Sequence, residues 1–202
     1  MHDDTFFARL VSLGCHDVRT PLATVHGFAK TLERTATLGA PADRYIEMIG
    51  TASAEMTELL DELSLAARIE AGRYDPALRE ADTLALAQAA AERLGRDRVR
   101  VSVRVSGDGA VIVTDLDAVG RSLAALMRAA VRHGGLDTVD VVVRATEIEI
   151  SPLTAASAPV VLGEELLDFR AAVAVRAIET LGGAVDADGS TLSVRLASVE
   201  VR

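Results

Sequence analysis

The chain has 202 residues, of which 50% are hydrophobic, 25% charged and only 3% aromatic, and its formal net charge is −9. So much apolar sequence excludes a disordered chain, while the acidic charge and the scarcity of aromatic rings argue against a nucleic-acid partner. The single cysteine, Cys15, excludes an intramolecular disulfide, and without a long apolar run we expect a soluble, cytoplasmic protein with no membrane segment.

Two long amphipathic helices are predicted first, because apolar or small residues recur at spacings of four and three. The two series are Val11, Cys15, Val18, Leu22, Val25, Ala29 and Leu32, then Tyr45, Ile49, Ala52, Met56, Leu59, Leu63 and Ala66. Gly39 can end the first helix and Pro41 suits the first turn of the second, so the short connection predicts an antiparallel hairpin. Because further apolar residues flank both series, we predict a homodimer in which two hairpins form a four-helix bundle. The alternative is that the second half of the chain covers this stripe.

The remainder of the chain alternates between helices and strands. Helices are predicted at 82–95, about 116–133 and about 163–181, and strands at 99–105, 110–114, 138–145, 147–150, 183–187 and 190–197. Gly107-Asp108-Gly109 is predicted to form a hairpin turn between the first two strands. The predicted fold class is α+β, with domain 1–75 as the hairpin and domain 76–202 as an α/β sandwich around a mixed sheet.

The candidate chemistry lies in His16-Asp17-Val18-Arg19-Thr20-Pro21-Leu22. A nucleophilic histidine needs a neutral ring and a neighbour that orients it, and Asp17 supplies a carboxylate next to His16. Thr20 is one helical turn away, where its hydroxyl could position a water. Pro21 has no N–H for the carbonyl of Asp17, so a kink is expected here. Each feature alone is common on protein surfaces, but the whole heptapeptide on the first helix of a hairpin is specific.

This heptapeptide, followed by Val25-His26-Gly27-Phe28, resembles the H-box of two-component histidine kinases, and residues 66–72 (AARIEAG) resemble the end of their dimerisation and phosphotransfer hairpin. The resemblance covers about residues 5–75. It implies that His16 is the phospho-accepting residue, that Asp17 is its acid/base partner and that Thr20 positions water for dephosphorylating a partner. Arg19 and Pro21 are assigned to partner binding.

The second domain resembles a degenerate form of the family's ATP-binding domain. Ala129 stands where that domain carries a magnesium-binding asparagine, and Ser151-Pro152-Leu153-Thr154-Ala155 replaces its Asp-x-Gly-x-Gly box. Phe169 and Ala171 replace glycines that let the backbone approach the nucleotide. These replacements imply that the chain binds neither ATP nor magnesium, and no cofactor or metal site is predicted.

The other histidines receive structural interpretations. His26 is predicted to lie at the surface or at the edge of the bundle. His133 is predicted to end a helix, where a cation can satisfy terminal carbonyl groups.

The leading functional hypothesis is a histidine phosphotransferase in a phosphorelay. His16 would pass phosphoryl groups between aspartates of response regulator receiver domains, and magnesium would be bound by the receiver. The alternatives are a pseudokinase or phosphatase regulator that uses Asp17 and Thr20, a non-enzymatic dimeric docking scaffold, and a residual kinase.

Overall fold

The computed structural model describes residues 15, 19, 22–34, 40–96, 101–165 and 167–198. These belong to two units, Met1–Tyr74 and Asp75–Arg202. The predicted site residues His16, Asp17, Thr20 and Pro21 lie outside the described residues. No helix within the described ranges is long and apolar enough to cross a membrane.

The first unit is a pair of helices, α1 (residues 22–34, with residues 15 and 19 also helical) and α2 (Ala40–Glu70). Residues 35–39 separate them, and Arg19 of the first helical stretch contacts Asp61 of α2, far from that connection in both directions. The two helices are therefore antiparallel. The side chains on α1 that are buried recur every seven residues: Cys15, Leu22 and Ala29.

The buried series on α2 is displaced by one residue from the predicted one. Its members are buried or half-buried and follow the spacing of a coiled coil: Ile46, Gly50, Ser53, Thr57, Leu60, Ser64 and Ala67. Of the predicted members, Ile49, Ala52, Met56 and Leu59 are exposed, whereas Leu63 and Ala66 are half-buried. The prediction followed the bulkiest apolar side chains, whereas the packed series combines Ile46 and Leu60 with five small residues that allow close approach of helices.

The second unit contains a five-stranded sheet and a separate two-stranded ribbon. The strands are β1 (Leu78–Asp82), β2 (Ser102–Gly109), β3 (Val111–Asp115), β4 (Thr138–Ala145), β5 (Glu147–Ser151), β6 (Ala184–Asp188) and β7 (Thr191–Arg195). The large sheet has the order β2-β4-β5-β7-β6, in which only β2 and β4 are parallel, and β1 pairs with β3. The predicted mixed sheet is confirmed.

Four helices accompany these strands: α3 (Thr83–Arg96), α4 (Leu116–Gly134), α5 (Ala158–Val161) and α6 (Phe169–Thr180). Alternate strand residues are fully buried, among them Val141, Ile148 and Leu192, while their neighbours are partly exposed and mostly polar. The central helix α4 packs against α3 and α6. Asp115 caps its N-terminus, and Gly135 ends it in a left-handed conformation with φ 63°.

The predicted hairpin turn at residues 107–109 is wrong. These residues belong to β2, which runs parallel to β4 and does not pair with β3. Gly107 has φ 107°, and a Cβ atom there would lie 2.0 Å from the carbonyl oxygen of Val143. The glycine is required by the close approach of two strands, which gives the same sequence signal as a turn. Strand β1 and helix α5 are additions that sequence reasoning missed, and α6 is shorter than the predicted helix 163–181.

Candidate functional site

Among the candidate functional residues of the H-box, Arg19 is the one whose side chain the structure describes. Its Nη2 donates a hydrogen bond to Oδ1 of Asp61 at 2.5 Å, and the two side chains are 41% and 43% exposed. Its Nε is buried and has no acceptor among the described residues. The sequence predicted a role in partner binding, but the contact observed here is to α2 of the same chain.

Cys15 lies one helical turn before Arg19 and is buried. Burial raises the pKa of its thiol, and the nearby positive charge of Arg19 partly opposes this rise. A thiol that is both buried and held in its neutral form is a poor nucleophile. Cys15 therefore contributes to packing at the position that immediately precedes the H-box.

His26 lies two turns after Arg19 on α1. Its ring is half-buried, and Nδ1 is shielded from solvent without a hydrogen-bond partner in the described part of the chain. It belongs to the same edge of the buried series as Cys15, Arg19 and Leu22, since these residues are spaced by four and three.

An exposed apolar face covers one side of the hairpin. It consists of side chains that are 42–67% exposed: Val25, Phe28 and Leu32 on α1, with Met48, Ile49, Met56 and Leu59 on α2. Four members of the face follow a buried residue by three positions: Val25 follows Leu22 and Leu32 follows Ala29 on α1, while Ile49 follows Ile46 and Met56 follows Ser53 on α2. Because the helices are antiparallel, equal offsets place both sets on the same side of the hairpin.

In the second unit, the position expected for a magnesium ligand is filled by packing. Ala129 has 0% exposure and lies on α4 between the buried residues Met127 and Ala130. Its methyl group provides no oxygen for a cation, which magnesium sites require. No group of three or more histidine, cysteine, aspartate or glutamate side chains that could hold a metal occurs in the ranges the structure describes.

The segment in place of the glycine box forms a turn closed by its own hydroxyl groups. Oγ of Ser157 accepts from the backbone N–H of Thr154 at 3.1 Å and lies 3.0 Å from its Oγ1. The backbone N–H of Ser157 donates in turn to Oγ1 of Thr154 at 3.2 Å. Ser157 is fully buried. This turn leads into α5, and its polar groups are used internally.

Helix α6 starts at an aspartate that also contacts the end of α4. Oδ1 of Asp168 accepts from the backbone N–H of Ala171 at 3.2 Å, which caps the helix. Its Oδ2 lies 3.4 Å from Nε2 of His133 in the last turn of α4. Ala171 is fully buried, and Phe169 begins the helix with 44% exposure. The end-of-helix position predicted for His133 is observed, but its polar partner is the carboxylate of Asp168, which caps another helix.

These three regions do not fit a bound magnesium nucleotide. The side chain at the asparagine position, that of Ala129, has no polar atom, and the carboxylate of Asp168 occupies the N-terminus of α6, where it would repel a phosphate. Sequence reasoning identified the replaced residues because the family pattern is local. It missed the Arg19–Asp61 and His133–Asp168 contacts, which join residues 42 and 35 positions apart.

Comparison with known proteins identifies the hairpin and the fold. Residues 8–72 match the His Kinase A (phospho-acceptor) domain family. No curated protein gives a significant match. The structure of full-length ShkA in complex with AMPPNP is similar with a TM-score of 0.65 and 21% identity, over 96% of this chain and 47% of that one. The chain therefore spans about half the length of ShkA.

Two further structures extend the likeness. The histidine kinase AdeS of Acinetobacter baumannii has a TM-score of 0.55 and 14% identity, over 92% of this chain and 98% of that one. The ATP-binding domain of PrrB from Mycobacterium tuberculosis has a TM-score of 0.51 and 19% identity, over 61% of this chain and 99% of that one. At these identities the structures establish the fold alone. Together with the match to the phospho-acceptor domain over residues 8–72, they show that the chain has the fold of a histidine kinase's phospho-acceptor hairpin followed by an ATPase-like α/β domain.

Proposed function

We propose that the protein is a histidine phosphotransferase, which exchanges a phosphoryl group between His16 and the aspartate of a response regulator receiver domain without using ATP. The observation that carries this proposal is the combination of an H-box in a matched phospho-acceptor hairpin with a fully buried alanine, Ala129, at the magnesium-ligand position. A kinase needs both sites, whereas a phosphotransferase needs only the first.

The proposed reaction needs little from this chain beyond a positioned imidazole. The lone pair of a neutral His16 nitrogen attacks the phosphorus of an aspartyl phosphate, an N–P bond forms, the P–O bond breaks, and the receiver's aspartate leaves as a carboxylate. Asp17 accepts a hydrogen bond from the other ring nitrogen and so stabilises the positive charge that develops on the ring. The receiver domain supplies the magnesium that neutralises the phosphoryl oxygens.

The proposed assembly is a homodimer that presents its H-boxes to receiver domains. Seven large apolar side chains on one side of the hairpin are 42–67% exposed, which is more than a single isolated residue on a surface. A second hairpin packed on this face would form a four-helix bundle and remove these side chains from water. The face is built from both helices, as such a bundle requires.

Label transfer from a phosphorylated receiver tests the proposal. The receiver is labelled with a small-molecule phosphodonor, freed of that donor and mixed with the full chain. We expect acid-labile, alkali-stable label on the wild-type chain, none on His16→Ala, and normal labelling of the matched variant His26→Ala. Radiolabelled ATP alone should label none of these three proteins. Equal labelling of His16→Ala and wild type would refute the proposal.

The same assay separates a phosphatase from a phosphotransferase. If the protein only dephosphorylates its partner, inorganic phosphate appears without a labelled chain, and Thr20→Ala abolishes its release. In a phosphotransferase, Thr20→Ala leaves labelling of His16 intact.

A further inference from the structure

The hydrogen bond between Arg19 and Asp61 joins the H-box to the second helix. Arg19 follows His16 by three positions and precedes Thr20 by one. On a helix, side chains three positions apart are neighbours, so this spacing predicts that Arg19 lies beside the candidate nucleophile. Nη2 of Arg19 donates a hydrogen bond to Oδ1 of Asp61 at 2.5 Å, and the two groups carry opposite charges.

The sequence also predicts that the H-box interrupts the backbone hydrogen bonds of its helix. Pro21 has no N–H to donate to the carbonyl of Asp17, so the sequence predicts one missing backbone hydrogen bond in this turn. The ion pair between Arg19 and Asp61 of α2 restrains this turn through a side chain of the other helix. Below it, Cys15 is buried and anchors the preceding turn in the core of the hairpin.

The ion pair lies on the opposite edge of the hairpin from the exposed apolar face. At about 100° per residue, Asp61 is roughly 120–160° around α2 from Ile49, Met56 and Leu59. Its side chain is 43% exposed, and an exposed pair of this kind contributes little to stability. Its loss should therefore affect the geometry of the H-box without dissociating a dimer or unfolding the hairpin.

We propose that Asp61 is a positioning residue for phosphoryl transfer. By holding Arg19 against α2, it fixes the rotation of the H-box turn and thus the direction in which His16 presents its attacking nitrogen. This inference rests on the proposed function, because it assumes that His16 is the nucleophile. Asp61 itself does not touch the phosphoryl group.

Single-turnover transfer from a phosphorylated receiver provides the test, with the rate at saturating receiver measured separately from the Kd. Asp61→Asn removes the charge but keeps the shape. We expect the transfer rate to fall about 10- to 100-fold, the loss that a displaced reacting group produces, while the Kd and the thermal unfolding midpoint stay unchanged. Glu33→Gln is the matched control, since it removes a carboxylate from an exposed ion pair with Lys30 on the same helix, away from the H-box.

Charge reversal distinguishes positioning from a general defect. Arg19→Asp alone should be as slow as Asp61→Asn, and the double variant Arg19→Asp/Asp61→Arg should recover most of the wild-type rate. Wild-type transfer by Asp61→Asn, or a folded double variant that stays slow, would overturn this inference alone. A wild-type chain that takes no label overturns the proposed function, and this inference with it.

Discussion

The exposed apolar face allows the association free energy of the proposed dimer to be predicted. Met56 lies within this face and is 49% exposed. Because fully burying such a side chain stabilises by about 1.5–3 kcal/mol, covering its exposed half should contribute about 0.7–1.5 kcal/mol per protomer. A twofold dimer contains the residue twice, so replacing it removes about 1.5–3 kcal/mol from the association free energy.

Met56→Glu adds a second cost, because it places two carboxylates in the seam between the hairpins. Burying unpaired charges costs several kcal/mol each unless they are protonated. With about 1.4 kcal/mol for each tenfold change, we expect the dimer Kd to weaken by at least about 100-fold. Methionine and glutamate have similar helix propensities, so α2 should remain folded.

Sedimentation equilibrium measures this change directly, and circular dichroism checks the helix content. Ala54→Glu is the matched control, because Ala54 is also exposed on α2 but lies about 160° around the helix from Met56. We expect a dimer for the wild type and for Ala54→Glu, and a monomer for Met56→Glu. A Met56→Glu chain that dimerises with the wild-type Kd would show that another surface mediates association.

Four further changes test packing and electrostatics in each unit. Ala145 has φ 54°, so Ala145→Gly should raise the unfolding free energy by about 0.5–1 kcal/mol in urea titrations, and a decrease would contradict the strain. Asp168→Ala removes the cap of α6 and should cost about 0.5–2 kcal/mol in the same assay, whereas Asp168→Asn should retain most of that stability. Ala129→Asn puts an amide into a fully buried site, so we expect a loss of about 2–5 kcal/mol and no heat of ATP binding in calorimetry. Burial raises the pKa of the Cys15 thiol, so stability should fall as the pH rises from the ordinary thiol pKa toward the raised one, and Cys15→Ala should abolish this dependence.

The elements that sequence reasoning predicted well have strong local periodicity. The bounds of β4, Thr138–Ala145, agree with the prediction because valines alternate with partly exposed residues along the strand. Strand β1, Leu78–Asp82, lacks this signal, since its sequence LREAD is mostly polar and it pairs only with β3. Helix α5, Ala158–Val161, is too short for a helical period to be recognised.

In the candidate site, too, the features with a local sequence pattern were predicted and the contacts between distant residues were not. The replaced residues of the nucleotide region, such as Ala129 and Phe169, could be found because each interrupts a local pattern in the sequence. The contact from Arg19 to Asp61 could not, because a pair between two helices depends on their rotation and register. The displaced series on α2 has the same origin: a stripe of bulky residues predicts that a helix has an apolar face, but not which neighbour covers it.

The proposed loss of ATP binding and the retention of the fold have the same origin in the replaced residues. A nucleotide site must keep polar groups unsatisfied by the protein itself, so that a ligand can satisfy them, and this arrangement costs stability in the free protein. Here Asp168 caps α6 and contacts His133, while the hydroxyl groups of Thr154 and Ser157 satisfy one another. Ala129 adds a methyl group to a fully buried helix face. Because these groups already have partners inside the domain, binding a nucleotide would first require breaking their contacts, and the domain can stay folded without a ligand.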